Sequence, residues 1–71
     1  MITYRICPML LQDELASRGI SIRSLGNKDS KNYIGYSDKT IFRALKNGYA
    51  TKPVCLALMD LLCYDGFILT D

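Results

Sequence analysis

Histidine is absent from this 71-residue chain, and much chemistry leaves with it. Zinc fingers built on cysteine and histidine are excluded, as is acid–base catalysis through an imidazole. Cysteine is sparse. Cys7, Cys55 and Cys63 form no C-x-x-C pair, and one must stay unpaired in any intramolecular scheme. The expected state is buried, reduced thiols in a cytoplasmic protein, with a disulfide or redox role as the alternative. No paired carboxylates suggest a pocket, no glycine-rich loop could cradle a phosphate, and no base would activate a thiol. An enzyme is therefore not expected, nor a cofactor, a metal or a small-molecule substrate. No apolar run approaches the roughly 18 residues needed to cross a bilayer. Met1-Ile2-Thr3-Tyr4-Arg5 also lacks a signal-peptide pattern. The expectation is a soluble, unexported, cytoplasmic protein with no membrane partner.

What is present fits one small domain, residues 1–71. A chain this short buries only roughly 60% of the surface its unfolded form exposes, so stability is thin. Its 49% hydrophobic content suffices for a single core. The net charge of +2 hides an uneven distribution. Between Arg18 and Lys52 the cations Arg18, Arg23, Lys28, Lys31, Lys39, Arg43, Lys46 and Lys52 face only Asp29 and Asp38. Outside that window Arg5 stands against Asp13, Glu14, Asp60, Asp65 and Asp71. Such asymmetry is an electrostatic footprint for a polyanion.

Local patterns predict mostly helix. Ile2, Tyr4 and Ile6 alternate with Thr3 and Arg5, as in a short strand or extended arm. Pro8 suits a first helical turn, and Met9–Arg18 follows with Leu11, Leu15 and Arg18 on one face. Asp13 and Glu14 are expected early against the positive helix end, with Gly19 as the stop. Ser21 caps a short helix through Gly26 with Ile22 and Leu25 inward, and residues 27–32 read as a loop. Tyr33-Ile34 returns to the core and Gly35 permits a bend. Beyond Tyr49-Ala50, a bridging segment, Thr51 caps a helix with Pro53 just inside it. Val54, Leu58, Leu61 and Leu62 form its buried face, and it ends near Tyr64-Asp65-Gly66. Phe67-Ile68-Leu69 either pairs with Ile2–Ile6 or packs as an irregular lid.

The segment Tyr36–Gly48 is the most informative. Ser37 or Asp38 caps a helix from Asp38 to Asn47, and Gly48 ends it. On a wheel of about 100° per residue, Ala44, Leu45 and Gly48 fall within about 60° of Ile41. Lys39, Phe42, Arg43 and Lys46 gather near the opposite side. A helix this short does not stand alone in water. Something must cover Ile41 and Leu45 while the cationic stripe stays free, which describes a DNA recognition helix.

From Arg18 to Leu62 the chain resembles the lambda-repressor-like helix-turn-helix proteins, the group of phage Cro and repressor proteins and xenobiotic-response-element regulators. The resemblance rests on Ser21–Leu25, Gly35-Tyr36-Ser37, Thr40-Ile41, Ala44-Leu45, Gly48 and the apolar helix from Pro53 to Leu62. The seven-residue step from Ile41 to Gly48 is similar to that of Cro proteins, and with it goes a phage or prophage origin. The turn departs from the family. Gly35 follows Leu25 by ten positions, so roughly five extra residues within Asp29–Tyr33 loop out or lengthen the second helix. Gly26 also stands where the family favours alanine, which loosens that helix end. The implied fold is all-α in the main, a four- to five-helix domain with a short strand at one or both termini.

What the resemblance implies for function is a sequence-specific regulator of transcription, of repressor type, bound to double-stranded DNA. Helix 38–46 would lie in the major groove. Carried over position by position, the base-contacting residues are Ser37, Asp38, Lys39, Phe42, Arg43 and Lys46. Lys39 and Arg43 match the acceptors of guanine, whereas Asp38 either accepts from cytosine or merely caps the helix. Phe42 either meets a thymine methyl or folds back beneath Tyr33 and Ile34. Phosphate contacts are expected from Ser21, Arg23, Lys28, Lys31, Tyr49 and Lys52. One helix reads few base pairs, so a homodimer on a pseudo-palindromic site follows, with the Leu61–Leu69 region as the dimer surface. The competing reading is a protein-interaction module, antirepressor or antitoxin-like, using the same fold.

Overall fold

The computed structural model describes residues 2–69; Met1, Thr70 and Asp71 lie outside the described residues. Its element order is β1 (Thr3–Ile6), α1 (Pro8–Ser17), α2 (Ile22–Leu25), α3 (Asp38–Asn47), β2 (Tyr49–Thr51), α4 (Lys52–Leu62) and β3 (Ile68–Leu69). The expectation of a mainly all-α domain is overturned. Four helices share the chain with a three-stranded antiparallel sheet, so the fold is mixed α/β. Tyr49-Ala50, read as a bridge, is strand, and the tail takes the strand alternative.

The first strand is the middle of the sheet, in the order β2-β1-β3. Thr3 opposes Thr51, Tyr4 opposes Ala50, and Arg5 opposes Tyr49. On its other side Arg5 opposes Leu69 and Ile6 opposes Ile68. Directly opposed residues project from the same face. One face therefore carries Tyr4, Ile6, Ala50 and Ile68 toward the core, and the other carries Thr3, Arg5, Tyr49, Thr51 and Leu69 outward. Flanking bonds lengthen the seam. Ile6 N–H donates to Gly48 O at 2.9 Å, Cys7 N–H to Phe67 O at 2.7 Å, and Lys52 N–H to Ile2 O at 3.0 Å.

One core joins every element. Leu11 and Leu15 from α1, Leu25 from α2, and Ile41, Ala44 and Leu45 from α3 meet Val54, Cys55, Leu58 and Leu62 of α4. Phe67 belongs to this core and is fully buried, its ring 6.3 Å from that of Tyr64. That removes it from the exposed patch expected to form a dimer surface. The hydrophobic effect is stronger for an aromatic brought inside than for one left on a rim, and the β3 pairing delivers it there.

Two details of the helices also differ from expectation. α1 begins at Pro8 and has no acidic residue in its first turn, so Asp13 and Glu14 lie too far along to meet the positive helix end. Glu14 Oε1 instead accepts from Arg18 Nε at 2.8 Å, one turn on. Helix α4 stops at Leu62, short of Tyr64. Cys63 caps it in the left-handed region at φ 50°, where side chains are rarely comfortable.

The thiols are all free, but they are not all buried. Cys55 lies inside, its S–H directed at Ala50 O at 3.8 Å. Burial pushes its thiol pKa up from the ordinary value. Cys63 is exposed and Cys7 is intermediate. In a timed reaction with an aromatic disulfide reagent, Cys63 is expected to label first, and Cys55 only as the protein unfolds. A Cys63→Ser variant should lose the fast phase alone; slow labelling of wild-type Cys63 would contradict its placement.

Candidate nucleic-acid interface

The site is built on α3, and its ends are fixed by local chemistry. Ser37 is the N-cap, its hydroxyl accepting from Thr40 N–H at 3.4 Å and lying 3.2 Å from the Thr40 hydroxyl. Gly48 is the C-cap at φ 78°, a conformation cheap only for glycine, and its N–H donates to Ala44 O at 2.9 Å. Ile41, Ala44 and Leu45 anchor the inner side in the core. Lys39, Phe42, Arg43 and Lys46 lie on the exposed side. Among the described residues, Lys39, Arg43 and Lys46 have no ion-pair partner. Three unpaired cations on one face leave their field available to an incoming anion.

The segment between α2 and α3 explains how that face is held. α2 is a single turn whose cap, Ser21, accepts from Ser24 N–H at 3.2 Å. The extra residues do not lengthen it. They loop out as consecutive turns: Asn27 Oδ1 accepts from Asp29 N–H at 2.9 Å, and Ser30 O accepts from Tyr33 N–H at 3.2 Å. The excursion closes when Ile34 N–H donates to Leu25 O at 3.0 Å. Chain direction at the end of α2 is thus regained before Gly35, which turns at φ 92°. Gly26 is a spacer here rather than a loosened helix end. A Cβ built on it would collide with the backbone of Ser37 and Asp38, so its absence lets α2 abut the start of α3.

The sequence-derived residues divide by placement. Ser37 is exposed, but its oxygen is engaged in the cap. Asp38 is half-buried against Gly26. Phe42 is 46% exposed and outside the core cluster, as is Tyr49 at 50%. Ser21, Arg23, Lys28, Lys31 and Lys52 are all exposed. Arg23 rides on α2, which packs against α3, and Lys28 and Lys31 ride on the looped-out turns. Lys52 opens α4, on the far side of β2 from α3 in the chain.

Sequence reasoning missed one part of this surface. Where α3 meets the edge strand β2, Thr3, Thr40, Arg43, Asn47, Tyr49 and Thr51 rim a groove of about 160 Å³. Ala44, Ala50 and Val54 floor it. Of the rim, only Arg43 and Tyr49 stood out in the sequence. Thr3 and Thr51 join them through strand register, for which the local pattern holds no signal, while Thr40 and Asn47 flank Arg43 at helical spacing.

Comparison with protein-family models, with curated proteins and with solved structures found no match. Among the described residues no helix is long and apolar enough to cross a membrane.

Proposed function

We propose that this protein is a sequence-specific double-stranded DNA-binding regulator of transcription that reads the major groove with α3. The observation that carries the reading is the two-sided character of that helix. Ile41, Ala44 and Leu45 are buried beneath it, while Lys39, Arg43 and Lys46 stand exposed and unpaired above. The donors of Lys39 and Arg43 suit guanine O6 and N7, Phe42 suits a thymine methyl, and Arg23, Lys28 and Lys31 suit phosphates. The protein works without a cofactor, in the cytoplasm, as a Cro-like repressor of phage or prophage type. It acts as a homodimer on half-sites about one helical turn apart.

Selection of bound sites from a random duplex pool, followed by titration of variants, tests this. Lys39→Ala and Arg43→Ala are each expected to weaken the selected site by ~1–3 kcal/mol, and Lys28→Ala to weaken all sequences alike. Unchanged binding in all three would remove α3 from the interface.

The exposed aromatic rings of Phe42 and Tyr49 favour a second reading, a protein-binding face, since aromatics and arginine dominate such contacts. Salt separates the two. DNA binding weakens steeply as salt rises through counterion release, whereas an aromatic protein contact holds.

A further inference from the structure

We infer that the groove between α3 and the edge strand β2 seats the sugar–phosphate backbone of one DNA strand beside the recognition helix, which makes β1 and β2 part of the interface. This rests on the DNA-binding reading and extends it to residues with no role in that reading: Thr3 on β1, Asn47 at the end of α3 and Thr51 on β2. The groove's composition matches a backbone rather than a base edge. Its floor of Ala44, Ala50 and Val54 is apolar, as a deoxyribose face is. Its rim supplies hydroxyls from Thr3, Thr40, Tyr49 and Thr51 and a carboxamide from Asn47, the kinds of group that hold phosphate oxygens without reading sequence.

Charge assigns the occupant. Among the described residues no acidic side chain lines this groove. A second apolar groove, between Tyr4, Leu56, Met59 and Ile68, carries Asp65 and, among the described residues, no cation, and is less suited to a polyanion. The first groove is also continuous with the cationic side of α3, since Arg43 belongs to both.

Thr3 is exposed on this rim, so its charge can be changed in both directions. Gln12, exposed on α1 and absent from the groove lining, serves as the control for net charge. Binding to random-sequence duplex is measured by fluorescence anisotropy across a salt series. Thr3→Glu is expected to weaken binding about tenfold. Thr3→Lys and Asn47→Lys should tighten it several-fold, each steepening the slope of log K against log salt by about 0.9. Gln12→Glu and Gln12→Lys should each change affinity less than twofold. Where Thr3→Glu disturbs strand pairing, the two lysine variants still decide. If wild type binds duplex but the Thr3 and Asn47 variants move no further than the Gln12 pair, the groove is not a backbone seat and the α3 reading stands. If wild type binds no duplex, the reading itself falls and takes this inference with it.

Discussion

Phe67→Ala is expected to remove most of the stability of this protein, at a cost of ~3–5 kcal/mol. A domain of this length has only about 4–10 kcal/mol in total at ordinary values per residue. Phe67 is fully buried in the same core as Ile6, Leu58 and Leu62, and its own backbone carbonyl holds Cys7 N–H at 2.7 Å. Truncation would empty a site that the surrounding helices and sheet cannot close without breaking the β1–β3 pairing. Urea unfolding followed by circular dichroism is the measurement, with Leu69→Ala as the partner variant. Leu69 is 41% exposed on the outward face, and its loss should fall within about 0.5 kcal/mol of wild type. The contrast has a second use. If Phe67 lay in an exposed dimer patch, its truncation would lower association and spare the monomer, the reverse of what is expected here.

The second large effect is expected at Gly26. An alanine there would drive its methyl into the backbone at Ser37 and Asp38. Backbone cannot swing aside as a side chain can, so α2 and α3 must separate. Overpacking of this kind costs ~3 kcal/mol, at the upper end of the usual range, and should lower Tm by roughly 12–24 °C for a domain of this length. Substitution at an ordinary helix end would act in the other direction, since alanine favours helix over glycine by about 1 kcal/mol. A Gly26→Ala protein that melted at or above the wild-type temperature would show that the two elements do not meet at this point. Loss of DNA affinity in excess of the loss of folded protein would show that their angle sets the presentation of Lys39 and Arg43.

Phe67 and Gly26 lie where the sequence is hard to read, and α3 where it is plain. α3 is legible because everything that makes it is local. Ser37 and Gly48 bracket it, and Ile41, Ala44 and Leu45 recur at the helical period. The same period places Lys39, Arg43 and Lys46 opposite, so the cationic face follows without any knowledge of neighbours. The sheet is hidden for the opposite reason. Tyr49-Ala50-Thr51 and Ile68-Leu69 are too short to show alternation, and their partner is β1, far away in the chain. A strand of two or three residues is stable only through its pairing, so local propensity says little about it. The mainly helical expectation failed at these segments, and with it failed the exposure assigned to Phe67. Gly26 misled in a related way. Its composition suggests a frayed helix end, while its use depends on Asp38, brought close only after the turns of residues 27–34 have formed. The groove beside α3 was invisible for the same cause, because its rim draws Thr3 and Tyr49 from opposed strands.

The central position of β1 governs the order in which the molecule can assemble. Residues 3–6 are made before their partners, yet they hydrogen-bond to residues 49–51 on one side and 68–69 on the other. The strand waits with both edges open until its partners arrive, and the short helices wait with it for a core to cover them. Refolding should accordingly be slower than for a helical bundle of equal length, because the distant closures precede the reward. A chain cut off before Ile68 should lack both the closed sheet and the core that steadies the short helices, and should be readily proteolysed.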